Sequence, residues 1–416
     1  MSRIARTLPR AASYWTAAAV AAIALWTSGA PSTTYPLYEA EWQVTPAVTT
    51  TVFAVYPLTL VIVLLVFGDL ADHIGRRAAI LLGLAAMLVG ALLFAVAPDI
   101  AVVFVGRAFM GIGVGLALSP ASAAVLEFSR PGRESTAGSV TTAGTALGLA
   151  LATLIGGLLI QYAPFPLHLD FWVLAVAIAA VAAAVWFLPR HTRDEARGRW
   201  HPRGVTVAPG IRLLYTVAAL AVSVAYMFGS VFLALGAQIA EQVIATRNVF
   251  AVGAILALMS AVIGVTAIAT RSVRPQLLIA IGSVVTLVAF GFLLDSAFTG
   301  SLGVFLATTL ISGAAYALMF AGGLGLIGQN APAHHRAGTI SAVYFVAYIL
   351  QGAAAVALGV IATASGLRLA LEIGAIAVSA FAIAALAATQ ALRVSGAHRV
   401  QQKATDACPL ASVAEE

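Results

Sequence analysis

Apolar stretches of about 20 residues, the length that crosses a bilayer as a helix, recur from one end of the chain to the other with short polar breaks between them. In the first half they fall at 12–30, 49–68, 78–97, 100–126, 138–161 and 170–189. In the second they fall at 210–234, 248–269, 276–295, 300–326, 339–364 and 367–392. The pattern predicts an all-α membrane protein with twelve transmembrane helices, one six-helix bundle over 1–189 and another over 210–393. Between them the polar stretch 190–209 predicts a linker, and 394–416 a polar tail. A faint internal repeat keeps the same register, since Ala137-Gly138 and Ala337-Gly338 each open the fifth span of their half. Parallel repeats of this kind are an established transporter design, with substrate held between the halves near the midplane.

The basic residues orient the spans. Of the 22, Arg107 lies inside a span, Arg247 and Arg368 fall on one face, and all the others fall on the face of the N-terminus. Cytoplasmic loops carry the Lys/Arg excess, so both termini and the linker are expected in the cytoplasm. The first 30 residues, with Arg3, Arg6 and Arg10 ahead of an apolar stretch, also fit a cleavable signal peptide. Six spans paired with six favour a retained helix.

Composition adds what the pattern leaves open. The 416 residues are 61% hydrophobic and 9% charged, with mean hydropathy +1.00, where a soluble chain has about 25% charged residues. The bilayer is the solvent for most of this chain. A net charge of +6 and a pI near 9.8 do not indicate nucleic-acid binding, because the arginines sit at span ends and not as a stripe on a soluble face. The single cysteine, Cys408, excludes a disulfide framework and a cysteine metal site. Lys403 is the only lysine and alanine is abundant, which suggests a GC-rich bacterial genome and the bacterial inner membrane. Motifs of the form HExxH, GxSxG or GxxxxGK[ST] do not occur, so neither an enzyme, nor ATP-driven transport within the chain, nor a metal or cofactor is expected.

The sharpest motif is GDLADHIGRR at 68–77, between spans two and three. Gly68 suits close helix approach, Asp72 can face the positive end of a helix, Gly75 suits a turn with positive φ, and Arg76 and Arg77 hold the loop inside. The segment resembles the signature loop of the major facilitator superfamily, Gly-x-Leu-Ala-Asp-Arg-x-Gly-Arg-Arg. Gly68, Leu70, Ala71, Asp72, Gly75, Arg76 and Arg77 match it, and His73 replaces an arginine. The resemblance implies the fold of that family and a gating loop that latches the two halves on the cytoplasmic side, with Asp72 meeting the start of span eleven near Gly338 and Thr339.

Arg107 stands seven residues into span four. A charge at membrane depth costs at least about 2.5–3.5 kcal/mol, so such residues face cavities and carry function, unless the side chain snorkels to the interface. With Gly111 and Gly113 following, and Gly115 beyond, the stretch resembles the family's fourth-helix pattern, whose arginine is linked to proton transfer in proton-coupled relatives. Drug:proton antiporters of the family carry a Gly-Pro pattern in span five. Here Gly144 and Gly148 are present but Leu149 stands where proline would, so these glycines read as helix-packing positions. Glu39, Glu41, Asp69, Asp72, Asp99, Glu127, Asp170, Glu241 and Asp295 read as loop or span-end acids. Glu372 is spaced to pair with Arg368. The candidate proton carriers beside Arg107 are therefore Glu39, Glu41 and Asp72.

By the same resemblance, spans one, four, seven and ten line the cavity, which nominates Trp26, Thr27, Arg107, Tyr226, Met227, Tyr316 and Met319. Tyr344, Tyr348 and Gln351 of span eleven add to them. The expectation is a monomeric secondary active transporter of the drug:proton antiporter type, exporting a lipophilic, aromatic or anionic small molecule against protons. The alternative is proton symport for uptake of a small organic acid or other nutrient.

Overall fold

The computed structural model describes residues 7–68, 70–130, 134–189, 207, 210–242, 248–331 and 333–406, with the side chains of 72, 134–137, 139, 242, 333–337 and 395–406 outside the description. Among the described residues the regular structure is all helical. Lipid offers no partner to a free backbone N–H or C=O, so an apolar chain that spans it closes its hydrogen bonds within each helix.

Twelve long helices form two sets. The first set is α1 (Arg10–Gly29), α3 (Pro46–Phe67), α5 (Arg76–Ala95), α6 (Ile100–Phe128), α7 (Glu134–Tyr162) and α8 (Leu169–Trp186). The second is α9 (Arg212–Gly229), α11 (Val249–Ala269), α12 (Pro275–Thr299), α13 (Leu302–Asn330), α14 (Ala333–Ser365) and α15 (Leu367–Asp406). Short helices α2 (Tyr35–Trp42), α4 (Leu70–Ile74) and α10 (Gly236–Gln242) stand between them. All the long helices but α1 contain stretches with mean hydropathy of 1.8 to 2.6, and the protein is a multi-pass membrane protein. Alanine-rich α1, diluted by Ser13, Thr16, Thr27 and Ser28, carries no such stretch, yet it packs against α6, α7 and α8 at the centre of its half. Most of the expected 190–209 linker lies outside the described residues. Helix α15 continues past the expected bundle end at 393 into the stretch read as tail, and 407–416 lie outside the description.

The repeat that identity barely registers is carried by packing. In the first half α1 meets α6, α7 and α8, α5 meets α6 and α8, and α3 meets α6; in the second α9 meets α13, α14 and α15, α12 meets α13 and α15, and α11 meets α13. Each of these contacts of one half recurs in the other at the corresponding helix. The halves join along two seams, α7 with α11 and α3 with α14, which the same correspondence exchanges.

Without a hydrophobic drive between helices in lipid, small residues that let backbones touch supply the packing. A Cβ on Gly113 would lie 2.5 Å from the Gly83 carbonyl oxygen, so α5 and α6 meet backbone to backbone. Gly148 of α7 is tighter still, since its Cβ would lie 1.9 Å from the Ala22 oxygen of α1. Gly111 and Gly115 face α3, and Gly144 faces α1.

Both seams are closed on the arginine-poor face. The α7–α11 seam holds Gly157 against Gly253, and Val249 N donates to Gln161 Oε1 at 2.8 Å. Across the α3–α14 seam Ala47 N donates to Thr363 Oγ1 at 3.0 Å. Gln238 of α10 adds a hydrogen bond to Glu39 of α2.

Candidate functional site

Between the halves lies a cavity of about 640 Å³. It reaches Tyr56 and Gln351 at its deep end and runs past Phe67, Gly68 and Gly338 towards the arginine-rich face. One wall is aromatic. Helices α9, α13 and α14 bring Tyr226 within 4.6 Å of Tyr348, 5.9 Å of Phe320, 6.3 Å of Tyr344 and 6.5 Å of Tyr316, centroid to centroid. The facing wall, from α3, α6 and α7, is aliphatic apart from Tyr56 and Phe67, with the hydroxyls of Ser119, Ser122, Thr142 and Thr145. Among the described residues no charged side chain lines the cavity.

Of the nominated residues, Tyr226, Tyr316, Tyr344, Tyr348 and Gln351 come together on the wall, while Trp26, Thr27, Met227 and Met319 do not line it. Thr27 turns its hydroxyl back to the Ile23 carbonyl at 2.8 Å, and Met319 packs against Gly282 and Ser283. Phe320 was missed. Its signal is the four-residue spacing from Tyr316, which puts both rings on one helix face.

Arg107 is fully buried and does not line the cavity, which corrects the expectation of a cation on the wall. Its guanidinium lies 4.6 Å from the Tyr56 ring centroid and 5.7 Å from that of Phe53, and Nη1 donates to the Ser28 carbonyl at 2.9 Å. Tyr56 and Ser28 do line the cavity, so the charge stands one side chain behind the wall. Nor does it snorkel. Ring faces and one carbonyl hold it in place, each cation–π contact contributing about 0.5–2 kcal/mol.

In the loop at 68–77, expected to gate, Gly75 adopts φ +87°, as a tight turn requires. Arg76 pairs with Glu127 at the end of α6. Arg77 donates to the Leu188 carbonyl at 3.2 Å and lies over Trp186. Both arginines thus tie the loop to its own half. Gly68 and Leu70 line the cavity mouth, and a Cβ on Gly68 would meet only Leu64 of its own helix. Among the described residues the close approach of another helix expected there does not occur. The Asp72 side chain lies outside the described residues.

The acids divide differently from their reading in sequence. Arg368 pairs with Glu372 at 3.4 Å. Glu39 accepts from Thr49 Oγ1 at 2.6 Å and from Gln238 across the seam; burial pushes its carboxyl above the ordinary range, against those two bonds. Asp170, read as a span-end acid, is only 1% exposed, and among the described residues neither carboxylate oxygen has a hydrogen-bond partner. It is the second residue of α8. A helix N-terminus favours a carboxylate by about 0.3–2 kcal/mol, against an effective cost of several kcal/mol for a buried charge. Tyr35 and Tyr38 of α2 lie nearby. Burial raises both phenols, with Arg107 opposing it at Tyr35, and with Tyr35 and Asp170 reinforcing it at Tyr38. Sequence gave no signal for Asp170, since the depth of a residue at a span end is set by the loops folded over it.

Residues 17–355 match the family described as Major Facilitator Superfamily. The chain is 33% identical over 151 residues to the puromycin resistance protein pur8 of Streptomyces alboniger, covering 36% of this chain and 29% of that protein. It is 29% identical over 137 residues to the inner membrane transport protein YajR of Escherichia coli, covering 32% and 29%. These matches span about three tenths of each relative's length. In three dimensions the chain is similar to a bacterial homolog of the human lysosomal transporter Spinster, in an inward-facing and unoccupied conformation. That likeness has a TM-score of 0.67 at 13% identity and covers 91% of this chain and 96% of that one. With the paired six-helix halves, the signature loop and a family match over most of its length, the chain belongs to the Major Facilitator Superfamily, a family of membrane transporters and not of enzymes.

Proposed function

We propose that the protein exports a lipophilic or aromatic small molecule across the bacterial cytoplasmic membrane by alternating access, in exchange for protons. The observation that carries this reading is the uncharged aromatic wall around Tyr226. Such rings hold flat apolar groups by offset stacking and attract cations over their faces. A cavity of about 640 Å³ falls within the roughly 300–1,000 Å³ of sites that take drug-sized ligands. An anion, allowed by the sequence, is less well served, because Arg107 is withdrawn behind Tyr56 and Ser28. The same absence of a wall cation disfavours uptake of an organic acid. If the arginine-rich face is cytoplasmic, the described conformation is inward-facing and is the state in which an exporter loads. The resistance protein among the relatives supports export and makes puromycin, an aromatic nucleoside, a first compound to test.

The test compares a strain expressing the protein with one lacking it across a panel containing puromycin and a fluorescent bisbenzimide dye. Flux is then followed in inside-out vesicles with and without a pH gradient. Lowered susceptibility, gradient-dependent accumulation in the vesicles, and loss of that accumulation in Tyr226→Ala are expected. Unchanged susceptibility throughout the panel together with gradient-driven uptake of an organic acid by intact cells would overturn the reading in favour of symport.

A further inference from the structure

Asp170 is a buried acid that the cavity does not use. Its neighbourhood is polar and unsatisfied: among the described residues both Asp170 oxygens and the hydroxyls of Thr33 and Tyr38 beside it are buried without hydrogen-bond partners, as are those of Ser32, Thr34 and Tyr35 in the same segment. Gly156 of α7 leaves the space they occupy, since a Cβ there would lie 2.8 Å from Thr33 Oγ1 and 3.2 Å from Asp170 Oδ2. No cation pairs with the carboxylate among the described residues. From α2, Tyr35 and Tyr38 face the cluster, Tyr38 bearing on Asp170 and Tyr35 on Arg107 of α6. Glu39 is turned to Thr49 and Gln238. Helices α1 and α5 carry Arg10, Tyr14, Arg76 and Arg77 at their opposite ends, and Tyr162 of α7 is exposed against Phe250. His168, at the N-cap of α8, lines a shallow pocket with Ala95 and Trp172 on the arginine-poor face.

A bare carboxylate accepts hydrogen bonds and cannot give one, whereas a protonated one does both and carries no charge to bury. We propose that Asp170 is a proton-binding site of the arginine-poor side. A proton from water on that side adds to a carboxylate oxygen and neutralises it, and leaves from the same oxygen when the surrounding hydroxyls rearrange. This deepens the proton coupling proposed above and rests on that reading only for the use made of the proton.

The test needs no transport substrate. Purified full-length protein in detergent is treated with dicyclohexylcarbodiimide, which modifies protonated buried carboxyls, and the modified residue is located by mass spectrometry. Asp170 is expected to be modified at neutral pH, the yield falling about tenfold per unit above its midpoint, equally in sodium and potassium salts. Glu39→Gln should leave the modification in place and Asp170→Asn should remove it. An unmodified Asp170 from acid to neutral pH, a yield indifferent to pH, or protection by sodium alone, which would mark a metal-cation site, each overturns the proposal on wild-type protein. A modified Asp170 in a protein whose flux ignores a pH gradient would leave the site standing and remove coupled export. An unmodified Asp170 beside gradient-driven flux would do the reverse.

Discussion

Gly253 sets how tightly the arginine-poor face closes, and Gly253→Ala tests it with a single methyl group. The added Cβ would lie 2.1 Å from the Thr153 carbonyl oxygen and 3.2 Å from Gly157 Cα, both across the α7–α11 seam. Carbon–oxygen contacts normally settle at about 3.3–3.6 Å, and the obstacle is backbone, so no side chain can swing away. The helices must part by roughly 1 Å, at a cost of about 1–3 kcal/mol by analogy with overpacked cores. Alanine also favours the helix over glycine by about 1 kcal/mol, but that gain is the same whether the seam is closed or open and cancels from the equilibrium. The described conformation should therefore lose population against the opposite-facing one by about 5–150-fold. Spin labels at Phe165 and Leu302, exposed on that face in the two halves, in a Cys408→Ser background, would show it as growth of a longer-distance population in double electron–electron resonance. An unchanged distance distribution with unchanged flux would refute the claim that this contact controls closure.

Arg107→Lys should impair transport severely in correctly inserted protein, because an ammonium can keep the Ser28 carbonyl but not the planar stacking on Tyr56 and Phe53. Wild-type flux in that variant, at matched expression, would reduce Arg107 to a point charge. Glu39 predicts a pH dependence of the closed seam: burial raises its carboxyl, so the stability it lends closure is fully present at low pH and is lost as pH rises through its titration. The labelled pair should read more closure in acid, Glu39→Gln should flatten that slope, and a slope surviving the substitution would show that Glu39 is not its source. Topology is checked by fusion: alkaline phosphatase joined at residue 200 should be inactive, since the arginine tally puts the linker in the cytoplasm, and activity there would reverse the orientation.

The chain by itself determined the number of spans, their grouping in sixes and the asymmetry of charge, because a bilayer demands about 20 apolar residues per crossing and sorts arginine by side. It also carried the family, through the loop at 68–77 whose Gly75 turn and paired arginines are local geometry. It could not tell which way a side chain faces. In α8, Val176 is 68% exposed and Ile178 fully buried, yet both are equally apolar, since lipid tails are as apolar as a protein core and leave no polar stripe to read. Facing is decided only when helices pack. That is why Tyr226, Tyr316, Tyr344 and Tyr348 line the cavity while Met227 and Met319 do not, why Arg107 sits behind the wall, and why nothing in the sequence set Asp170 apart from the other span-end acids. Burial at a span end depends on α2 and the turn Ser32 to Thr34 folding over it, a long-range contact that tertiary structure alone decides.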